Sequence, residues 1–266
     1  MATHIVIPDT QVKPGVNTDH LEWAGKYIAD QFGMQEDVTI VHLGDHWDMP
    51  SLSSYDKGTK SMEGRRYIAD IEAGNEALAR LTDPIDAVYL EYEGRRRVTR
   101  REPPVEIRRW RPRKVLLRGN HEDRISRAIQ ADPKLDGALS LEQLESPGWE
   151  THDFLDVVWI DGVAYSHYFY NPMSGRPYTG MMETRLRQIG HSFTMGHQQT
   201  LGYGVQYTLK GPRHGLVAGA FYQHDEGYKG PQGNDHWRGI VVKHEVEDGS
   251  YSPMFVSMDY LRRKYG

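Results

Sequence analysis

The chain has 266 residues, and its 32 Lys and Arg against 37 Asp and Glu give a formal charge of −5 with His neutral. There is no Cys, so disulfides are excluded, and no apolar run approaches the roughly 18 residues that a membrane span requires. The length fits one large domain, 1–266, burying roughly three quarters of the unfolded surface, and the strand-like start at residues 3–8 predicts a soluble, cytoplasmic protein with no secretion signal and no membrane partner.

Short β-branched runs alternate with Gly-containing polar turns and stretches of helical spacing, an α/β pattern. Residues 5–7 are read as a strand running into Pro8-Asp9-Thr10-Gln11, and a helix is expected from about Asp19, with Leu21, Ala24, Ile28 and Phe32 on one stripe. The next strand, 38–43, ends at Gly44-Asp45. A second helix is predicted over about 62–81, where Ile68, Ile71, Leu78 and Leu81 share a face and Asp83-Pro84 stops it. Residues 92–113 read as an Arg-rich insertion. Between 95 and 114 ten basic side chains face only Glu102 and Glu106, a local +8 that leaves −13 elsewhere. With Pro103-Pro104 at its middle, this segment is expected to be an exposed hairpin or loop, either a solvated arm or a polyanion-binding one. Residues 115–117 form a third buried strand, ending at Gly119-Asn120-His121. Strands then follow closely at 157–160, 163–167, 193–195, 216–220 and 240–247, and the last turns at Asp248-Gly249 into 251–258, a hairpin signal. A helix-rich first half and a strand-rich second half suit a sheet-on-sheet core with helices outside.

Five polar clusters close predicted strands: Asp9-Thr10-Gln11, Gly44-Asp45-His46-Trp47-Asp48, Gly119-Asn120-His121-Glu122, His167, and Gly196-His197-Gln198-Gln199. Strand ends bring residues distant in sequence to one rim, and these side chains are oxygen and imidazole donors suited to divalent metals. Singly, each has a plain structural reading: a cap or turn for Asp-Thr-Gln, an Asx turn for Gly-Asp, a satisfied core histidine for His167. The Gly-Asn-His-Glu turn is more specific, since it presents an amide oxygen and an imidazole together. Tyr165, Tyr168, Phe169 and Tyr170 read as sheet-face packing rather than a base-stacking platform. The Gly- and Pro-containing stretch 223–236 reads as a loop whose His224 and His236 could line a cleft.

The ordered set Asp-x-[His], Gly-Asp-x-x-Asp, Gly-Asn-His-[Asp/Glu], His, Gly-His-x-[His], spanning residues 9–199, resembles the calcineurin-like metallophosphoesterases. The resemblance implies an α/β (α+β) fold, a two-sheet β-sandwich flanked by helices, with two divalent metals at one sheet edge and a metal-bridging hydroxide that attacks a phosphate ester. By the same resemblance Asp45 bridges the metals, Asp9, Gln11 and Gln199 hold the first, Asn120, His167 and His197 hold the second, and His121, oriented by Asp48, lies beside the phosphate as general acid. Gln11 and Gln199 stand where the family has His, both at the first metal. That site becomes all-oxygen and should bind Mg2+ or Mn2+ loosely, while the second suits Mn2+, Zn2+ or Fe2+. Mn2+ is the leading expectation for the pair, with Ni2+ also a candidate, and His46 or His236 could replace a missing imidazole. Candidate substrate contacts are His46, Arg118, Arg124, His224 and His236. The expected activity is that of a phosphodiesterase acting on nucleotides, cyclic ones included, or on nucleic acid, because the candidate acid is retained and the basic segment 95–114 offers phosphate contacts. A phosphomonoesterase and a non-catalytic binding module of the same fold are the alternatives. The Gln variants and the basic insert look like those of bacteriophage-encoded members, which would act in a host cytoplasm.

Overall fold

Runs such as 38–43, polar only at Thr39 and His42, and 115–117 lack polar–apolar alternation, the composition of strands buried on both faces, and the computed structural model, which describes residues 1–93, 105–226 and 230–266, places them so. In chain order it has β1 (Ala2–Ile7), α1 (Asp19–Phe32), β2 (Val38–His42), α2 (Tyr67–Asp86), β3 (Tyr89–Glu93), β4 (Val105–Arg109), β5 (Arg113–Leu117), α3 (Arg124–Ala131), β6 (Glu150–His152), β7 (Val158–Ile160), β8 (Val163–Tyr165), α4 (Met182–Ile189), β9 (Phe193–Met195), β10 (Leu201–Thr208), β11 (Gly211–Ala218), α5 (Gly230–Asn234), β12 (Gly239–Glu247), β13 (Ser250–Ser257) and α6 (Met258–Tyr265). One mixed sheet has the order β13-β12-β1-β2-β5-β6, with β1, β2, β5 and β6 parallel. The other has the order β10-β11-β9-β8-β7, with β8, β9 and β11 parallel.

Period-two alternation sorts the first sheet's residues onto two faces. Ile5, Ile7, Ile40, Leu116 and Val242 meet the apolar stripes of α1, α2 and α6. Val6, Val41, Val115 and Val241 face Val163, Tyr165, Leu216 and Ala218 of the second sheet, and α4 covers that sheet's outer face through Leu186 on Phe193 and Met195. The layers are therefore helix, sheet, sheet, helix. Among the described residues no helix is long and apolar enough to cross a membrane.

Several sequence expectations shift. The second helix begins at Tyr67, with Lys60–Met62 a separate 3-10 turn, and it runs through Pro84. Proline there forfeits only the bond to the Arg80 carbonyl, since the helix ends two residues later. Ile68 is off the buried face, 53% exposed in the first turn. Strand β11 starts at Gly211 instead of 216, and stretch 223–236 contains α5, with 227–229 outside the described residues.

The basic segment is a hairpin at its base, β3 pairing antiparallel with β4. Arg95, Arg96, Arg97, Arg100 and Arg101 lie outside the described residues. Lys114 does not belong to an exposed arm: it is buried in β5 with Nζ 2.6 Å from Asp86, and Arg113 pairs with Glu150. Trp110 ties the hairpin down, its backbone amide donating to Val88 and its indole to Gln35. The hairpin's base thus stands at the N-terminal ends of β2 and β5, the edge opposite Asp45 and Asn120.

Candidate metal centre

The parallel strands β1, β2, β5, β8 and β9 all end at one rim, which gathers Asp9, Asp45, Asn120, His167 and His197. Nitrogen and oxygen atoms of Asp45, His167 and His197 lie within 4.8 Å of one another. His167 Nε2 is 3.4 Å from Asp45 Oδ2 and 3.0 Å from Asn120 Oδ1. Its Nδ1 donates to the Leu43 carbonyl at 2.8 Å, so in the neutral ring the lone pair sits on Nε2, facing the cluster. Asp9 Oδ1 accepts the His197 backbone amide at 3.0 Å, and the Gln11 backbone amide, not its side chain, donates to the Asp45 carbonyl at 2.8 Å.

The rim is backbone-strained where it matters. Gln11, Asp45, His197 and Gln199 all have positive φ, at 41°, 48°, 65° and 58°, an arrangement that non-glycine residues keep only where surrounding structure enforces it. Glycine is required at Gly119, where a Cβ would come within 2.1 Å of Asp45 Oδ1 and 2.8 Å of the His167 ring. The loops are pinned together by Glu122. Its carboxylate, 1% exposed, accepts the backbone amides of Asp45, His46, Trp47 and Gly119 at 2.6–3.1 Å.

The donor set fits a divalent cation. Asp9 Oδ2 and both amide atoms of Gln11 are buried without a hydrogen-bond partner in the protein, a state that costs about 1–3 kcal/mol per atom unless a ligand satisfies it. Burial raises the Asp9 pKa, with Asp45 adding to the effect. Burial also opposes charge on Asp45, yet His121 and His167 hold it well below the carboxylate range. Burial disfavours a charged His167, but Asp45 overrides it and lifts the ring to about 9, whereas burial and the neighbouring His167 push His197 down to about 4. The cluster thus keeps a proton on one imidazole where a cation would otherwise neutralise the acids. Gln199 is buried, its Oε1 accepting from Tyr222 OH at 3.0 Å.

His121 Nδ1 is 2.6 Å from Asp48 Oδ1, and its Nε2 is 3.7 Å from Asp45 Oδ2. Burial works against charging this ring, but Asp45 and Asp48 raise its pKa. Burial would raise Asp48 in turn, but His121, Lys13 and Arg124 bring it down to about 2.

The candidate substrate contacts divide. Arg124 is at the site, donating to the Asp48 carbonyl and lying 3.3 Å from His121 Nε2. His46 is neither substrate contact nor ligand: it is fully buried, Nε2 donating to the Gly74 carbonyl and Nδ1 accepting from Thr10. Arg118 turns to Asp153. His236 lies one side chain behind Gln199, 3.4 Å from Tyr222 OH, and His224 pairs with Glu226. Tyr165, Phe169 and Tyr168 pack as the sequence predicts, although Tyr168 also meets the His197 ring, whereas Tyr170 lies beyond the end of β8 and is exposed instead of packed. Lys13 and Tyr222 are not visible as site residues in the sequence, and Glu122, read there within the Gly-Asn-His-Glu turn, anchors the loops instead of facing the cluster. No family model and no curated protein matches this chain.

Proposed function

We propose that the chain is a divalent-metal-dependent phosphohydrolase of the calcineurin-like metallophosphoesterase kind, acting on diesters in preference to monoesters. The observation that carries this reading is the buried Asp9 Oδ2 and Gln11 side-chain amide without protein partners, on the rim where Asp45 lies 3.7 Å from the ring of the His121–Asp48 pair. Asp9, Gln11, Asp45 and Gln199 would hold one cation, and Asp45, Asn120, His167 and His197 a second. Such cations supply Lewis acidity toward phosphoryl oxygens and lower the pKa of water.

The remaining work falls to the chain's own groups. Asp48 fixes the His121 ring through Nδ1, which leaves Nε2 to give a proton to the departing ester oxygen. Arg124 opposes charge on that ring, but the two carboxylates outweigh it. The diester preference rests on this retained acid and not on the basic hairpin, whose base stands at the opposite edge. The test is metal content after extensive dialysis together with hydrolysis of bis(nitrophenyl) phosphate under Mn2+. Mn2+-dependent hydrolysis, lost in Asp45→Ala and in His197→Ala, is expected. Bound metal with no hydrolysis of any ester would favour a binding module instead.

A further inference from the structure

A cavity of about 950 Å3 opens from His121, between Lys13-Pro14 after β1 and the segment 50–66 that leads into α2. Most of its cations are engaged by its own acids. Lys13 Nζ is 2.8 Å from Glu226 and 3.3 Å from Asp48, and Arg65 is 2.7 Å from Asp56. Arg124 is committed to the Asp48 carbonyl, and Arg66 is matched by Glu63 on the same wall. No surplus of positive charge remains to hold a second phosphate. An acceptor, by contrast, is left over: Asp70 is 1% exposed and takes the Ser51 amide on Oδ2 at 2.9 Å, while its Oδ1 and the neighbouring Ser51 hydroxyl both lack a hydrogen bond of good geometry. A buried carboxylate oxygen in this state calls for a donor from a ligand. The Tyr55 ring, 91% exposed, also lines the cavity, beside the apolar edges of Pro14 and Pro50.

We propose that this cavity holds the leaving alcohol of a phosphodiester as an uncharged nucleoside, a sugar hydroxyl donating to Asp70 Oδ1 and the base lying on the Tyr55 ring. The role as leaving group rests on the phosphohydrolase reading, whereas the recognition does not. Hydrolysis adds water across the ester bond: the water oxygen ends on phosphorus, and the departing nucleoside oxygen takes the proton from His121 Nε2, giving a nucleoside and a phosphomonoester.

Calorimetric titration of the full chain with uridine, with and without Mn2+, tests the recognition without turnover, since uridine carries no phosphate. Binding is expected in both conditions, weakened about tenfold or more by Asp70→Ala and about fivefold or more by Tyr55→Ala. Inorganic pyrophosphate should not bind in the absence of metal. Tyr55 is exposed, so Tyr55→Ala decides the matter even if Asp70→Ala fails to fold. Unchanged uridine affinity in Tyr55→Ala, or glycerol binding as tightly as uridine, would overturn the proposal. Uridine binding with no ester hydrolysis under Mn2+ would remove the hydrolase reading and keep the pocket; hydrolysis with no uridine binding would do the reverse.

Discussion

His121 and Gln11 sit on the same rim but answer to different measurements. His121→Ala removes a proton donor and no proposed ligand, so metal content should hold while the rate on an alkyl diester falls about 10²–10⁴-fold. The loss should shrink on nitrophenyl esters, whose leaving group hardly needs a proton, and equal losses on both would take His121 out of the acid role. Gln11, with both side-chain amide atoms unpartnered, is a proposed ligand on the weaker side of the proposed centre. Gln11→His with Gln199→His replaces neutral oxygen donors with imidazoles and should tighten Mn2+ or Zn2+ binding in calorimetric titration of the metal-free chain, each single variant giving part of the gain. Unchanged affinity in the double variant would mean that the two side chains do not face one ion. That Asp9, Asp45, Asn120, His167 and His197 come together at one rim is legible in the sequence because each follows the end of a strand. His46 misled because its neighbours in sequence face the rim while its ring points into the Gly74 turn. Glu122 was read as part of the Gly-Asn-His-Glu turn, but its role of collecting backbone amides from another loop leaves no spacing pattern.

At the scale of elements, parallel strands and their end turns were legible from continuous apolar runs closed by Gly. The unread strands have other compositions: β10 carries Gly202 and Gly204, which weaken any strand signal, and β6 is a three-residue edge held by register with β5. Glu122 shows what the turns depend on. Two amides meet each of its oxygens, so Glu122→Gln keeps one oxygen and sets an amide NH2 against two donors. The substitution should cost about 2–4 kcal/mol in chemical denaturation and weaken metal binding, because the loops carrying Asp45 and Asn120 lose their common anchor. Denaturation and metal affinity both unchanged would show that the loops hold each other without it.

Over the whole molecule, the opposite placement of the rim and the base of the basic hairpin separates two properties. Neutralising Arg95, Arg96, Arg97, Arg100 and Arg101 should flatten the salt dependence of polynucleotide binding while turnover of a small activated diester stays put; a matching fall in turnover would place the arm at the rim after all. The space between the sheets makes a separate prediction about pH. His4 is fully buried there, with Nδ1 2.7 Å from Tyr165 OH and Nε2 2.8 Å from Asp161. Lys243, opposite it in register, is also fully buried, donating to Tyr165 and Thr194 and lying over the Tyr165 and Tyr251 rings. Burial, and then Lys243, push His4 from 6.5 down to about 4, against the pull of Asp161. The unfolded chain therefore takes up this proton first as pH falls. Stability contributed by neutral His4 is whole above pH 6.5 and is lost progressively down to about 4, a change of about 3 kcal/mol. Denaturant midpoints of wild type and His4→Gln, compared at steps between pH 7 and 4.5, isolate the effect, since every other titrating group is common to both. The variant should lose about one proton's worth of slope across that interval. Equal slopes would mean that Asp161 offsets burial and Lys243, so that folding leaves the proton affinity of His4 unchanged.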